Sequence, residues 1–131
     1  MTSIEYNLSK RIKMTFSRAV DRITEELRKE GFGIVTTIDL RDIFKKKIDK
    51  DFKNYLILGA CNPRYAYEIL QIESKAGIFL PCNVVVQEHT DGEVEISIAN
   101  PEYLVRGVED LNLRTFATEV KEAMDAVLSR I

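Results

Sequence analysis

The chain has 131 residues, a formal net charge of −2, 45% hydrophobic residues and 31% charged residues. This length suits one domain that buries a genuine core, so we expect a single domain over residues 1–131. The charge balance gives no overall attraction to nucleic acid or to an anionic membrane. No apolar run approaches the roughly 18 residues of a membrane span. We therefore expect neither nucleic acid nor membrane as a partner.

The N-terminal residues and the cysteine content bear on the compartment. Residues 1–14 alternate polar and apolar side chains and lack the apolar block of a signal peptide. The chain has two cysteines. Two cysteines without an export signal favour a reducing compartment and free thiols, so we expect a cytoplasmic protein.

The first two predicted elements are a strand and a helix. Apolar residues occupy even positions from Ile4 to Met14, a period of two that predicts a half-buried strand. The next apolar residues are spaced by four, three and four: Phe16, Val20, Ile23 and Leu27. This spacing places them on one face of a helix, with Thr15 as its cap and Gly31 as its stop.

A second strand and a short basic helix follow. The strand is predicted at Ile34 to Leu40, and the segment Leu40 to Phe52 reads as an amphipathic helix with a basic outer face. Because aspartates interrupt the lysines of that helix, we expect its charged face to be solvated.

The third strand and third helix meet at a Cys-Asn-Pro junction. Tyr55 to Cys61 is apolar on both sides, which predicts a central strand. Asn62 suits a helix cap and Pro63 the first helical position. The helix should run to about Glu73. We expect three of its side chains to face inward: Ala66, Ile69 and Leu70.

A hairpin is predicted from Cys82–His89 and Glu93–Ala99. A three-residue loop with Gly92 left-handed keeps Glu88 and Glu95 from facing each other and puts the apolar sets on one face. Cys82 then lies on the buried face, and His89 points away from it. Asn100-Pro101 breaks the second strand.

The last predicted element is a long amphipathic helix, capped by Asp110 or Asn112. Its buried stripe has seven members: Leu113, Phe116, Ala117, Val120, Ala123, Val127 and Ile131.

The element order β-α-β-(α)-β-α-β-β-α predicts an α+β two-layer sandwich with a five-stranded twisted sheet. If the helices cover one face, the other face carries Val35, Thr37, Val85 and one side of the third strand. A second copy of the chain would cover this mixed surface, so we expect a homodimer. A monomer with helices on both faces is the alternative.

Two short motifs about twenty residues apart carry a resemblance to a known family. The first is Gly59-Ala60-Cys61-Asn62-Pro63, followed by Ala66 and Leu70. The second is Gly77-Ile78-Phe79-Leu80-Pro81-Cys82-Asn83-Val84-Val85-Val86. Together they resemble the signature of the domain-of-unknown-function 302 family. The resemblance covers nearly the whole chain and implies a small, cytoplasmic, usually dimeric α+β domain, but it implies no reaction.

The same motifs contain the candidate site: Cys61, Asn62, Pro63, Pro81, Cys82 and Asn83. A helix N-terminus beside Cys61 favours a thiolate and offers N–H groups to an anion. If the third and fourth strands are neighbours, the two thiols could form a reversible dithiol. Two buried, space-filling cysteines are the alternative, and two thiolates alone complete no metal site.

Our leading hypothesis is a non-enzymatic, homodimeric accessory domain that binds a small molecule, an anion or a partner at these junctions. We assign no catalytic residue, cofactor or metal, and enzymatic activity stays open. A thiol-based redox or sulfur-handling protein using Cys61 and Cys82 is the rival. A purely structural interaction module is the third hypothesis.

Overall fold

The structure is a computed structural model that describes residues 5–131. Its strands are β1 (Asn7–Ile12), β2 (Gly33–Asp39), β3 (Tyr55–Cys61), β4 (Cys82–Glu88) and β5 (Val94–Ala99). Its helices are α1 (Phe16–Lys29), α2 (Leu40–Ile48), α3 (Pro63–Ile72), α4 (Pro101–Leu104) and α5 (Leu111–Ser129), with a 3₁₀ helix at Ser74–Phe79. The first strand is shorter than its period of two predicts, and Ile4 lies outside the described residues.

The five strands form one sheet in the order β1-β5-β4-β3-β2, with every neighbouring pair antiparallel. This arrangement confirms the predicted α+β fold. β3 lies inside the sheet, as its apolar residues predict, although β4 is the middle strand.

One face of the sheet packs against α1 and α5. The even-numbered side chains of β3, β4 and β5 form the strand side of this core, among them Leu58, Val84 and Ile96. The helix side includes Ile23 of α1 and Met124 of α5, both fully buried. Since burying one such side chain contributes about 1.5–3 kcal/mol, this face carries most of the stabilising burial.

The hairpin between β4 and β5 has the predicted three-residue loop. The Gly92 amide donates to the His89 carbonyl at 2.9 Å, and the His89 amide donates to the Glu93 carbonyl at 2.8 Å. Gly92 has a φ of +86°, a conformation that glycine adopts without steric cost. Val84 lies opposite Ile98, which confirms the register.

Most helix ends follow their predicted caps. The Thr15 hydroxyl accepts the Arg18 amide at 3.2 Å, and Asp110 accepts the Leu113 amide at 3.0 Å. Asn100 caps α4, a four-residue helix where we expected only a strand break. So short a helix has too few residues to show a helical period.

Three boundaries or orientations differ from the prediction. Leu40 begins α2 instead of ending β2, and α2 ends at Ile48 because Asp49 adopts a left-handed φ of 53°. Leu70 is 39% exposed instead of facing inward. Its neighbour Ile69 packs against the smaller core instead, which leaves Leu70 on the outer side of α3.

A β-bulge changes which side chains of β2 face away from the helices. The register shifts between Ile34 and Thr36, so that Thr36 lies opposite Gly59 and Ile38 opposite Ile57. The prediction that Thr37 faces the uncovered side is therefore wrong. An extra residue in one strand reverses the alternation beyond it.

Candidate functional site

Three chain junctions meet at one end of the sheet. Ala60 lies opposite Cys82, and Val84 lies opposite Ile98. Because the strands are antiparallel, the end of β3, the start of β4 and the end of β5 share this end. The two sequence motifs are thereby neighbours in space.

Asn62 connects two helices at this end. Its side-chain oxygen accepts the Arg64 amide at 3.1 Å, which caps α3, and its Nδ2 donates to the Glu30 carbonyl at 3.5 Å. Gly31 has a φ of +85°, and a Cβ there would lie 2.9 Å from Asn62 Nδ2. The asparagine thus links the end of α1 to the start of α3.

Gly59 and Pro81 explain why the two motifs occur together. A Cβ at Gly59 would lie 2.7 Å from Pro81 Cγ and would also overlap Thr36 Oγ1. Real Cβ atoms do not approach other atoms so closely, so the proline of the second motif requires the glycine of the first. The Leu80–Pro81 peptide bond is cis.

A cavity of about 50 Å³ lies beside these junctions. It is bounded by the end of the sheet, α3, the 3₁₀ helix, α4 and α5. Its walls are mostly hydrocarbon and come from Phe32, Ala60, Cys61, Asn62, Tyr65, Ala66, Ile69, Ala76, Phe79, Leu80, Cys82, Pro101, Leu104, Val105, Leu113, Ala117 and Val120. This volume exceeds the roughly 10–15 Å³ that one water needs.

The two thiols differ in their surroundings. Cys82 is 8% exposed, and burial, with a smaller effect of nearby Cys61, raises its pKa to about 11. Its thiol is therefore neutral at pH 7. Cys61 is half-buried, and both cysteines are free.

The strand register bears on a bridge between the thiols. Ala60 lies opposite Cys82, so Cys61 is one position out of phase with it in the strand alternation. Successive side chains of a strand point to opposite faces, but Cys61 is the last residue of β3 and still contacts the cavity that Cys82 lines. The two thiols are not bridged in the structure.

Aromatic rings form one wall of the cavity. Tyr65 stacks on Phe32 with ring centroids 6.3 Å apart and meets Phe116 edge-on at 5.8 Å. Burial raises the pKa of Tyr65, and the Glu119 carboxylate adds to this effect. The phenol is thus neutral at pH 7.

The structure brings half of the predicted site residues to the cavity. Cys61, Asn62 and Cys82 line it, whereas Pro63 is exposed at the start of α3. Asn83 lines a shallow groove on the face of the sheet opposite the helices, beside Tyr55 and Ser97.

Fourteen wall residues were absent from the predicted site, among them Phe79, Val105, Leu113 and Ala117. The amphipathic stripe of α5 marks Leu113 and Ala117 as buried, but nothing in it relates them to the cysteine motifs. Their meeting depends on packing between distant segments.

The single histidine lies at the other end of β4. His89 Nε2 is 2.8 Å from Glu95 Oε1, beside the hairpin loop. Over residues 5–131, no group of three or more His, Cys, Asp or Glu side chains is close enough to hold a metal ion. Within the same range, no helix combines the length and the apolar character needed to cross a membrane.

Comparisons with known proteins agree with this architecture. A crystal structure of the uncharacterized conserved protein DUF302 from Bacillus stearothermophilus is similar, with a TM-score of 0.89 and 26% identity over 97% of this chain and 98% of that chain. A search of curated proteins finds no match. The model of the family named "Domain of unknown function DUF302" matches residues 8–131. The chain therefore belongs to the DUF302 family.

Proposed function

We propose that this chain is a non-enzymatic, cytoplasmic, homodimeric accessory domain. It binds a small ligand or partner where the Cys61-Asn62-Pro63 and Pro81-Cys82-Asn83 segments meet. The observation that carries this proposal is the cavity of about 50 Å³ whose walls include Cys61, Asn62 and Cys82. Pockets lined by apolar side chains with a few polar groups are the usual form of small-molecule sites.

The chemistry of the cavity wall favours binding over catalysis. Its titratable side chains are Cys61, Tyr65 and Cys82, and burial raises the pKa values of the last two. General acid–base catalysis works best with a group whose pKa is near the working pH. Neutral Tyr65 and Cys82 are poorly suited to that task at pH 7. The free thiols also suit a reducing compartment.

The uncovered face of the sheet supports the homodimer. Ile38, Ile57 and Val85 lie side by side across β2, β3 and β4 on the face opposite the helices. Ile38 is 41% exposed in the single chain. Contiguous apolar surface of this kind is typical of interfaces between copies of a chain.

Helix α2 also supports a covering partner. None of its side chains is buried in the single chain, and the ring of Phe44 lies 5.1 Å from that of Phe52. A nine-residue helix is marginal in water without tertiary packing. A second copy would supply that packing.

The ligand proposal is tested by thermal-shift screening against metabolite and anion libraries, followed by calorimetric titration. We expect a saturable binder whose affinity falls at least tenfold in Asn62→Ala, because this change removes the α3 cap and the bond to the Glu30 carbonyl that hold this wall of the cavity in place. Asn7→Ala, a matched change in the groove on the opposite face of the sheet, should leave the affinity unchanged. The absence of any saturable binder, binding that is unaffected by Asn62→Ala, or a ligand that responds to Asn7→Ala instead, would contradict the proposed site.

A thiol-based redox or sulfur-handling function is the second candidate. It is favoured by the presence of Cys61 and Cys82 on one cavity wall. It requires Cys61 to react with a thiol probe at pH 6 much faster than free cysteine does. Mass spectrometry of the Cys82→Ala variant would measure that rate for Cys61 alone, and a rate equal to that of free cysteine would exclude this candidate.

A further inference from the structure

The cavity lies at the seam between two hydrophobic clusters. Ala60, Cys82 and Val120 belong to the main core between the sheet and α1 and α5. Val105 and Leu113 belong to a second, smaller cluster formed with α3 and the 3₁₀ helix. The space between them is where packing of the main core ends.

The wall offers a ligand almost no polar partner. Its amide, Asn62, already caps α3 and bonds the Glu30 carbonyl. Among residues 5–131, every buried side-chain nitrogen or oxygen has a hydrogen-bond partner. A polar ligand would lose its hydration here without replacement, which is unfavourable, and the penalty is largest for an isolated charge. An uncharged hydrocarbon group incurs no such cost.

The cavity also reaches the surface. Leu104 of α4 lines it and is 36% exposed. On the 3₁₀ helix, Ile78 is 83% exposed beside Phe79, which lines the cavity. The walls at this side consist of two short helical segments, which resist local opening less than the strands do.

We propose that this cavity takes the end of a straight, uncharged alkyl chain. The proposal deepens the binding function above by naming the ligand class, and it rests on that function. A volume of about 50 Å³ is well below the roughly 150 Å³ of a cavity that holds benzene, so the chain end enters while the remainder lies along Leu104 and Ile78.

The test is an NMR titration of protein carrying labelled alanine methyl groups, with 1-propanol, 1-butanol, 1-hexanol and 1-octanol as probes. The Ala76 and Ala117 methyl groups report on the cavity, and that of Ala99 reports on the groove of the opposite face. We expect saturable shifts at Ala76 and Ala117. Affinity should rise roughly fourfold per added methylene until the cavity is filled, as hydrocarbon burial predicts.

Matched probes and variants make the result specific. Hexanoate should bind at least tenfold more weakly than 1-hexanol, because its charge has no partner. Ala66→Leu places a larger side chain in the cavity wall and should abolish the shifts of the Ala76 and Ala117 methyl groups. Ala126→Leu, the same change on α5 away from the cavity, should not. Ile69→Ala enlarges the cavity and should move the affinity plateau to a longer alcohol.

Four outcomes would overturn the proposal: no saturable shift, shifts confined to Ala99, hexanoate binding as well as 1-hexanol, or a plateau unmoved by Ile69→Ala. If Ala66→Leu does not fold, the affinity plateau of Ile69→Ala still tests whether the alcohols occupy the cavity. A polar library ligand that saturates and shifts Ala76 while the alcohols do not would overturn the alkyl class alone. Such a result would leave the binding site itself intact.

Discussion

At the residue scale, Gly59 lets the two motifs pack together because it has no side chain. We predict that Gly59→Ala lowers the free energy of unfolding by about 1–3 kcal/mol, because its Cβ would overlap Pro81 Cγ and Thr36 Oγ1. Urea denaturation measures this change. Gly33→Ala is the control: it lies on the adjacent strand with nothing within 4 Å of the added Cβ. Equal stabilities for the two variants would contradict the close contact.

Cys82 makes stability depend on pH in the alkaline range. Its pKa rises from 9.0 to about 11, so between these values the unfolded chain loses the thiol proton while the folded chain keeps it. Stability conferred by the buried neutral thiol is therefore complete below pH 9 and decreases as the pH rises to 11. The expected loss across this window is about 2–3 kcal/mol.

Denaturation at pH 8.0 and pH 11.5, on either side of this window, measures that loss. The free energy of unfolding of Cys82→Ala should fall less over this pH range than that of the wild type. That of Cys61→Ala should fall as much as in the wild type. A decrease that is the same in wild type and Cys82→Ala would show that other groups cause it.

At the element scale, Glu26 ties the end of α1 to the end of α5. It is 2% exposed, with Arg130 Nε at 2.6 Å and Lys29 Nζ at 2.9 Å from its carboxylate oxygens. Hydrogen bonds from Arg130, then from Lys29, lower its pKa to about 2. Because folding lowers the pKa of this carboxyl group, its charged form stabilises the fold at pH values above 4.5, the pKa in the unfolded chain. This contribution is lost as the pH falls toward 2.

We therefore predict that Glu26→Gln lowers the Tm at pH 7 and flattens the acid side of the stability profile. Calorimetry between pH 2 and pH 7 measures both effects. Glu122→Gln, an exposed change on α5, should do neither. An unchanged profile in Glu26→Gln would mean that the ion pair between Glu26 and Arg130 does not contribute to the stability of the fold.

The elements that sequence patterns predict well are those with local causes. The β4–β5 register follows from Gly92 and from keeping Glu88 and Glu95 apart, and the start of α3 follows from Asn62 and Pro63. β2 is harder, because its run of β-branched residues gives no alternation that would reveal a bulge. Buried Glu26 also carries no local signal, since its partner Arg130 is 104 residues away.

The site shows the same division between local and distant causes. Cys61, Asn62 and Cys82 are recognisable because cysteine, asparagine and proline occur at two strand–helix junctions. The opposite wall depends on α4 and the 3₁₀ helix, which are too short to show a period. The sequence thus predicts one wall of the cavity, and the cavity itself requires the tertiary structure.

At the scale of the whole molecule, one face of the sheet is covered by helices and the other is open. We predict that the protein sediments at twice the 15.0 kDa mass of one chain. Val85→Arg should shift it to the single-chain mass, because a charge would be buried between two apolar faces. Thr118→Arg, an exposed change on α5, should leave the dimer intact. A wild-type protein that sediments as a monomer at all concentrations would contradict the dimer.

The binding proposals share one requirement, which is that the cavity beside Cys82 admits a guest. Crystals held under xenon pressure test this directly, because xenon enters apolar cavities and scatters anomalously. We predict an anomalous peak in van der Waals contact with Cys82, Phe79 and Ala117. The absence of a peak there, with xenon bound elsewhere in the same crystal, would contradict a binding site at this end of the sheet.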